Sequence, residues 1–105
     1  MYNKGFIMSK VIENALIKIN KKLRDNIFED ALKIEILEEG FIVVTQDGAF
    51  SEPFDVNCTM TSDLKTFEGI LAGSIKASGA FMSGKLKIEG DISTAINFAK
   101  KLNSQ

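Results

Sequence analysis

Gly79-Ala-Phe-Met-Ser-Gly84-Lys85 carries the first seven positions of a phosphate-binding loop. That chemistry also needs a hydroxyl at the eighth position to hold magnesium. It needs a helix behind the loop, whose first amides face the phosphates. Leu86 stands in the eighth position, and the LKIEG that follows alternates like a strand. Ala80, Phe81 and Met82 would set apolar groups beside the phosphates. Nucleotide binding is therefore set aside.

Catalytic chemistry has little else to work with. The chain has no histidine, so the usual general base and the commonest metal ligand are both missing. Cys58 falls on the apolar side of an alternating stretch and reads as a small buried hydrophobe with no base to generate its thiolate. Glu29-Asp30 and Glu38-Glu39 sit at element boundaries as solvated turn charges, and Asn57-Cys58-Thr59 is a glycosylation sequon with no sign of secretion to give it meaning. No catalytic residue, metal site or cofactor is expected.

The elements that would position any site are clearer. From about Ser9 to Arg24, Ile12, Ala15, Leu16, Ile19 and Leu23 recur at helical spacing, with Ser9 as N-cap. Residues 31–38 alternate as a strand, Glu38-Glu39-Gly40 turns the chain, and residues 41–45 return. Asp47-Gly48 marks a second hairpin, leading to a short edge strand within 49–53, with Pro53 there or in the loop beyond. Val56, Cys58 and Met60 alternate as a fourth strand. Thr61, Ser62 and Asp63 are N-cap candidates for a helix whose apolar face is Leu64, Phe67, Ile70 and Leu71, stopped by Gly73. A short apolar crossover at 79–84 leads to the fifth strand, where Leu86 and Ile88 alternate with lysines and Glu89. The final helix runs from Asp91 to about Leu102, with Ile92, Ala95, Ile96, Ala99 and Leu102 on one face and Phe98 near its margin. The order is α-β-β-β-β-α-α-β-α. Because two short helices separate the last strand from the fourth, no hairpin joins them, and a mixed sheet with helices over one face fits.

Two segments, CTMTSD at 58–63 and AF-x-x-GKLKIEGD at 80–91, followed by a terminal amphipathic helix, resemble the sterol carrier protein type 2 lipid-transfer family. The similarity covers about half the chain; the N-terminal half agrees in its pattern of elements. Lys76-Ala77-Ser78 departs from the Asn-Pro-like turn that family members often carry there. The resemblance implies an α+β fold, a five-stranded mixed sheet with helices packed on one face and enclosing an apolar tunnel. It implies a tunnel lining of Met60, Phe67, Ile70, Leu71, Phe81, Met82, Leu86, Ile88, Ile92, Ala95, Ile96 and Ala99. For Phe81, Met82 and Met60, plain core filling stands beside that reading. Ala95 and Ala99 admit a close helix approach or room for a ligand, and the resemblance places their helix beside the tunnel.

Length and composition bound the rest. A chain of 105 residues is expected to form one domain with a real core, residues 1–8 being a loose extension and Met8 an alternative start. A net charge of −1 supplies no global attraction to nucleic acid or anionic membranes. Lys18, Lys21, Lys22 and Arg24 crowd one end of the first helix; they complement its dipole as a solvated face, or they make transient contact with an anionic membrane. One cysteine, no signal peptide, no peroxisomal address at the end of the chain and no apolar run near the ~20 residues of a membrane span lead to a cytoplasmic expectation. The function expected through the resemblance is non-enzymatic binding and transfer of a small apolar lipid (fatty acid, acyl-CoA or sterol-like). The alternative is an interaction or dimerisation module on the same fold that holds no lipid.

Overall fold

In chain order, the elements are α1 (Lys10–Leu23), β1 (Leu32–Ile36), β2 (Gly40–Thr45), β3 (Gly48–Phe50), β4 (Cys58–Ser62), α2 (Leu64–Ala72), α3 (Ala77–Met82), β5 (Leu86–Gly90) and α4 (Ile92–Asn103). The computed structural model describes residues 9–103, so the extension expected over 1–8 lies outside them. The strands form one sheet in the order β3-β2-β1-β4-β5. β1 runs parallel to β4, and every other pair is antiparallel. This is the mixed α+β arrangement that the element order demanded.

Register decides which side chains share a face. Ile34 lies opposite both Ile42 and Met60, and Met60 lies opposite Ile88. Leu32, Ile34, Ile36, Ile42, Val44, Cys58, Met60 and Leu86 thus point to one side, where they pack with Ile12, Ala15, Ile19 and Leu23 of α1 and with Ala95, Phe98 and Leu102 of α4. α1 lies over β2 and β3, and α4 over β4 and β5. The other side is wet over β1, where Lys33 pairs with Glu35 at 3.2 Å and its ammonium stands over the Phe41 ring. Val43 is nevertheless fully buried there, beside Phe50, whose ring meets Phe54 edge-on at 5.7 Å.

The sequence reading of the fourth strand needs one correction. Val56 is not part of it: β4 begins at Cys58, because residues 51–57 carry the chain from the β3 edge back to β1. Asn57 closes that loop by donating its N–H to the carbonyl of Ala31 at 3.3 Å, and Pro53 lies within it.

A second correction concerns α4. Phe98 is not marginal but buried, packed edge-on against Phe28 at 5.3 Å. The helix has two apolar sides rather than one. Ala95, Phe98 and Leu102 enter the core, while Ile92 and Ile96 remain about half exposed.

Candidate functional site

The exposed side of α4 borders a cavity of about 760 Å³, open to solvent. Its floor is Met60 from β4 with Leu86 and Ile88 from β5. One wall is Ile92, Ala95, Ile96 and Ala99, three to four residues apart along α4. The opposite wall is Gly73, Ile75 and Lys76, then Ala77, Ser78, Phe81 and Met82 of α3. Among the described residues, Lys76 and Lys100 are the only charged ones in the lining, and no carboxylate joins them.

Local backbone chemistry builds the second wall. Asp63 caps α2, its carboxylate accepting the Thr66 N–H at 2.8 Å. The helix ends at Gly73, which takes the left-handed conformation (φ 84°) and donates to the Ile70 carbonyl, while Ser74 donates to Gly69. That pairing is a Schellman stop. Ile75 then folds back on Gly69, donating its N–H to the Gly69 carbonyl at 3.0 Å; a Cβ on Gly69 would collide with the Ile75 side chain. The stop thereby aims residues 75–78 along the cavity. In α3, Ala80 is buried as the anchor, leaving Phe81 41% and Met82 84% exposed at the rim.

The other wall is fixed from both ends. Asp91 accepts the Ser93 N–H at 2.9 Å as α4 starts, and its own N–H donates to Asn57. At the far end, the Asn26 side-chain amide donates to the Lys101 carbonyl at 3.2 Å.

Nine of the twelve residues read as tunnel lining come together here: Met60, Phe81, Met82, Leu86, Ile88, Ile92, Ala95, Ile96 and Ala99. Phe67, Ile70 and Leu71 do not. They are buried in the core, where they seat α2. Core filling, the other reading of Phe81 and Met82, is overturned by their exposure. The cavity that these nine residues share is open to solvent. Ile75, Lys76, Ala77, Ser78 and Gly73 escaped the sequence reading because they follow no periodic pattern. Lys100 carried a usable signal, lying four and eight residues beyond Ile96 and Ile92 on the same helical side.

A larger depression of about 900 Å³ lies between α1 and the β2–β3 edge. It mixes Lys21 and Arg24 with Glu39 and Glu52 around Leu16, Ile17 and Phe50, so no single class of ligand matches it. The cavity beneath α4 is more uniform chemically.

Neither reactive motif gains a partner. Residues 79–82 are themselves helical, within α3, and Lys85 leads into β5, so there is no phosphate-binding loop with a helix behind it. Burial pushes the Cys58 thiol up from its ordinary pKa, and the nearby charge of Asp91 adds to the effect. The thiol stays protonated and inert. Among the described residues, no group of acidic, cysteine or histidine side chains is arranged to hold a metal ion.

Residues 10–103 match the model of the SCP-2 sterol transfer family. The chain belongs to that family. Residues of this chain are 43% identical over 56 positions to human hydroxysteroid dehydrogenase-like protein 2, covering 53% of this chain and 13% of that protein. The bovine counterpart is 41% identical over the same length. The chain thus spans about one-eighth of the curated relatives it matches. Among solved structures, sterol carrier protein 2 of Aedes aegypti in complex with palmitate superposes with a TM-score of 0.75 at 18% identity, over 92% of this chain and 98% of that one. Sterol carrier protein domain 2 of Helicoverpa armigera gives 0.73 at 11% identity, over 90% of both chains. At these identities the structural likeness establishes a shared fold.

Proposed function

We propose that this member of the family is a non-enzymatic lipid carrier that holds a long-chain apolar molecule in the cleft between α4, β5 and α3. One observation carries the reading: ten apolar side chains from β4, α3, β5 and α4 converge on a single cavity whose lining, among the described residues, has no carboxylate. Its volume of about 760 Å³ falls within the range of small-molecule sites. Membership of a sterol transfer family supports the reading, as does a protein of the same fold described in complex with a C16 fatty acid. The mechanism is burial. Each methylene withdrawn from water contributes ~0.8 kcal/mol, so eight give ~6 kcal/mol before the cost of ordering ligand and side chains. Met60 and Met82 suit such a wall because thioether chains repack around varied shapes.

A fluorescent long-chain fatty acid is expected to bind saturably and to be displaced by unlabelled fatty acid, more tightly as the chain lengthens. No binding of fatty acid, acyl-CoA or sterol at micromolar concentration overturns the carrier reading. A second reading, an accessory docking module, draws on the small share of the curated relatives that this segment matches. It predicts binding of a protein partner and indifference to lipid chain length.

A further inference from the structure

Eight large hydrophobic side chains are exposed on the described surface, and four of them, Phe81, Met82, Ile92 and Ile96, ring the mouth of one cavity. The other four, Ile17, Ile27, Leu37 and Phe54, belong to α1 and separate loops or turns. A soluble chain scatters such residues singly; a group of them around an opening marks a surface meant to be covered. Met82 is the most exposed of all, at 84%, on a one-and-a-half-turn helix held down by Ala80. Lys76 and Lys100 stand at the same mouth, and no carboxylate of the described residues joins the lining. Lys100 also borders a polar hollow that includes Glu29 and Asp30, so Lys76 is the less compensated of the two.

We infer that this mouth docks on an anionic lipid bilayer, with Met82 and Phe81 of α3 and Ile96 of α4 entering the acyl boundary and Lys76 and Lys100 meeting lipid phosphates. The inference rests on the carrier reading in one respect. A lipid that leaves a bilayer for an apolar cleft avoids water only if the mouth of the cleft faces the bilayer. Apolar residues at the centre and ammonium groups at the rim are the pattern of an interfacial membrane site. A protein partner would satisfy the apolar residues but gives no reason for a rim free of carboxylates. The basic end of α1 also has apolar neighbours, Ile17 and Phe50 among them, but there Lys21 and Arg24 share their groove with the carboxylates of Glu39 and Glu52.

The test uses the full chain with a bimane label introduced through Met82→Cys, Ile96→Cys, Leu37→Cys or Lys18→Cys, one at a time. Cys58 is buried and stays in place, with the label-treated parent chain as blank. Vesicles are phosphatidylcholine with about one-quarter phosphatidylserine, carrying brominated acyl chains as quenchers. Quenching is expected at 82 and 96 and not at 37 or 18. The double variant Lys76→Gln/Lys100→Gln should bind these vesicles less tightly by about five-fold per lysine, the equivalent of ~1 kcal/mol each.

Quenching at 18 without quenching at 82 assigns the membrane to α1 and overturns the inference. So does quenching nowhere, or a label at 82 shielded by self-association when no vesicle is present. The fatty-acid titration without vesicles separates the two readings. Fatty-acid binding without quenching at 82 removes the docking face and leaves the cleft. Quenching at 82 without fatty-acid binding removes the carrier and leaves a membrane-attachment face.

Discussion

The two ends of the helical layer solve the same problem differently. Over β2 and β3, α1 brings Ile12, Ala15, Ile19 and Leu23, and with Leu32, Val44 and Phe28 they close the interior almost completely. Over β4 and β5, α4 offers Ala95 and Ala99 toward the sheet, and a cavity of about 760 Å³ remains beside them. The sheet is continuous beneath both, so the difference lies in the helices. Large residues at a helix–sheet contact fill the gap between layers, and small ones leave it. Phe98 and Leu102 show that α4 can supply bulk, yet they do so only at its C-terminal half, next to Phe28. One end of the molecule is built for stability, and the other gives up packing to hold space.

Removing bulk from each end should separate the two most widely. Phe28→Ala deletes a ring that is 1% exposed and packed on Phe98, and should cost ~3–5 kcal/mol in a urea melt. Ile96→Ala, on the cavity rim, should stay within about 0.5 kcal/mol. Similar losses at both sites would mean that the cleft is packed shut in solution.

Adding bulk gives a smaller and sharper contrast, because it separates two residues one turn apart. Ala95 is 3% exposed and belongs to the core as well as the lining, whereas Ala99 is half-buried, lies outside the core and borders the open space. Ala95→Leu should destabilise by ~1–3 kcal/mol through overpacking. Ala99→Leu should change stability by no more than about 0.5 kcal/mol while weakening fatty-acid binding, since it occupies ligand volume. Urea melts beside lipid titrations of both variants check this. Equal destabilisation would leave Ala99 as core rather than wall.

These sites also show where the sequence was readable. Period-2 alternation placed Met60, Leu86 and Ile88 on the buried side of the sheet, and the hydrogen-bonded register carried them to the cavity floor. Helical spacing found the apolar side of α2, but periodicity reports only that a side chain is turned from water. It does not name the neighbour, so Phe67, Ile70 and Leu71 read the same whether they line a cleft or fill a core. The same limit merged the two sides of α4 and left Phe98 at the margin, since its partner Phe28 lies in a loop seventy residues away. Ile75 to Ser78 carried no period at all. Their position follows from the Gly73 stop and the fold-back of Ile75 onto Gly69, a three-dimensional event. The cavity itself came from the family resemblance, not from any pattern of residues.

The two ends also differ in how their helices are capped, and this yields the smallest expected effect. α1 starts at Ser9, whose hydroxyl accepts the Ile12 N–H at 3.1 Å and does not titrate with acid. α2, which leads into the cavity wall, starts at Asp63. Its carboxyl is held below the ordinary carboxylate range by the Thr66 N–H, then by the Thr66 side chain, with Lys85 and Lys65 adding to the effect. A group whose folded pKa is depressed stabilises the fold above its unfolded pKa, ~3.9 for aspartate. That contribution is lost as pH falls from the unfolded value through the lower folded one. Acid should therefore loosen the start of α2 before the start of α1. Hydrogen exchange on acidification is expected to speed at the Thr66 amide, relative to neutral pH and after correction for intrinsic rates, while the Ile12 amide holds its protection. Asp63→Asn keeps a capping oxygen without a titrating group, and should abolish the difference. Matched acid responses at Thr66 and Ile12, or an unchanged response in Asp63→Asn, would trace the loosening to the whole fold rather than to this cap.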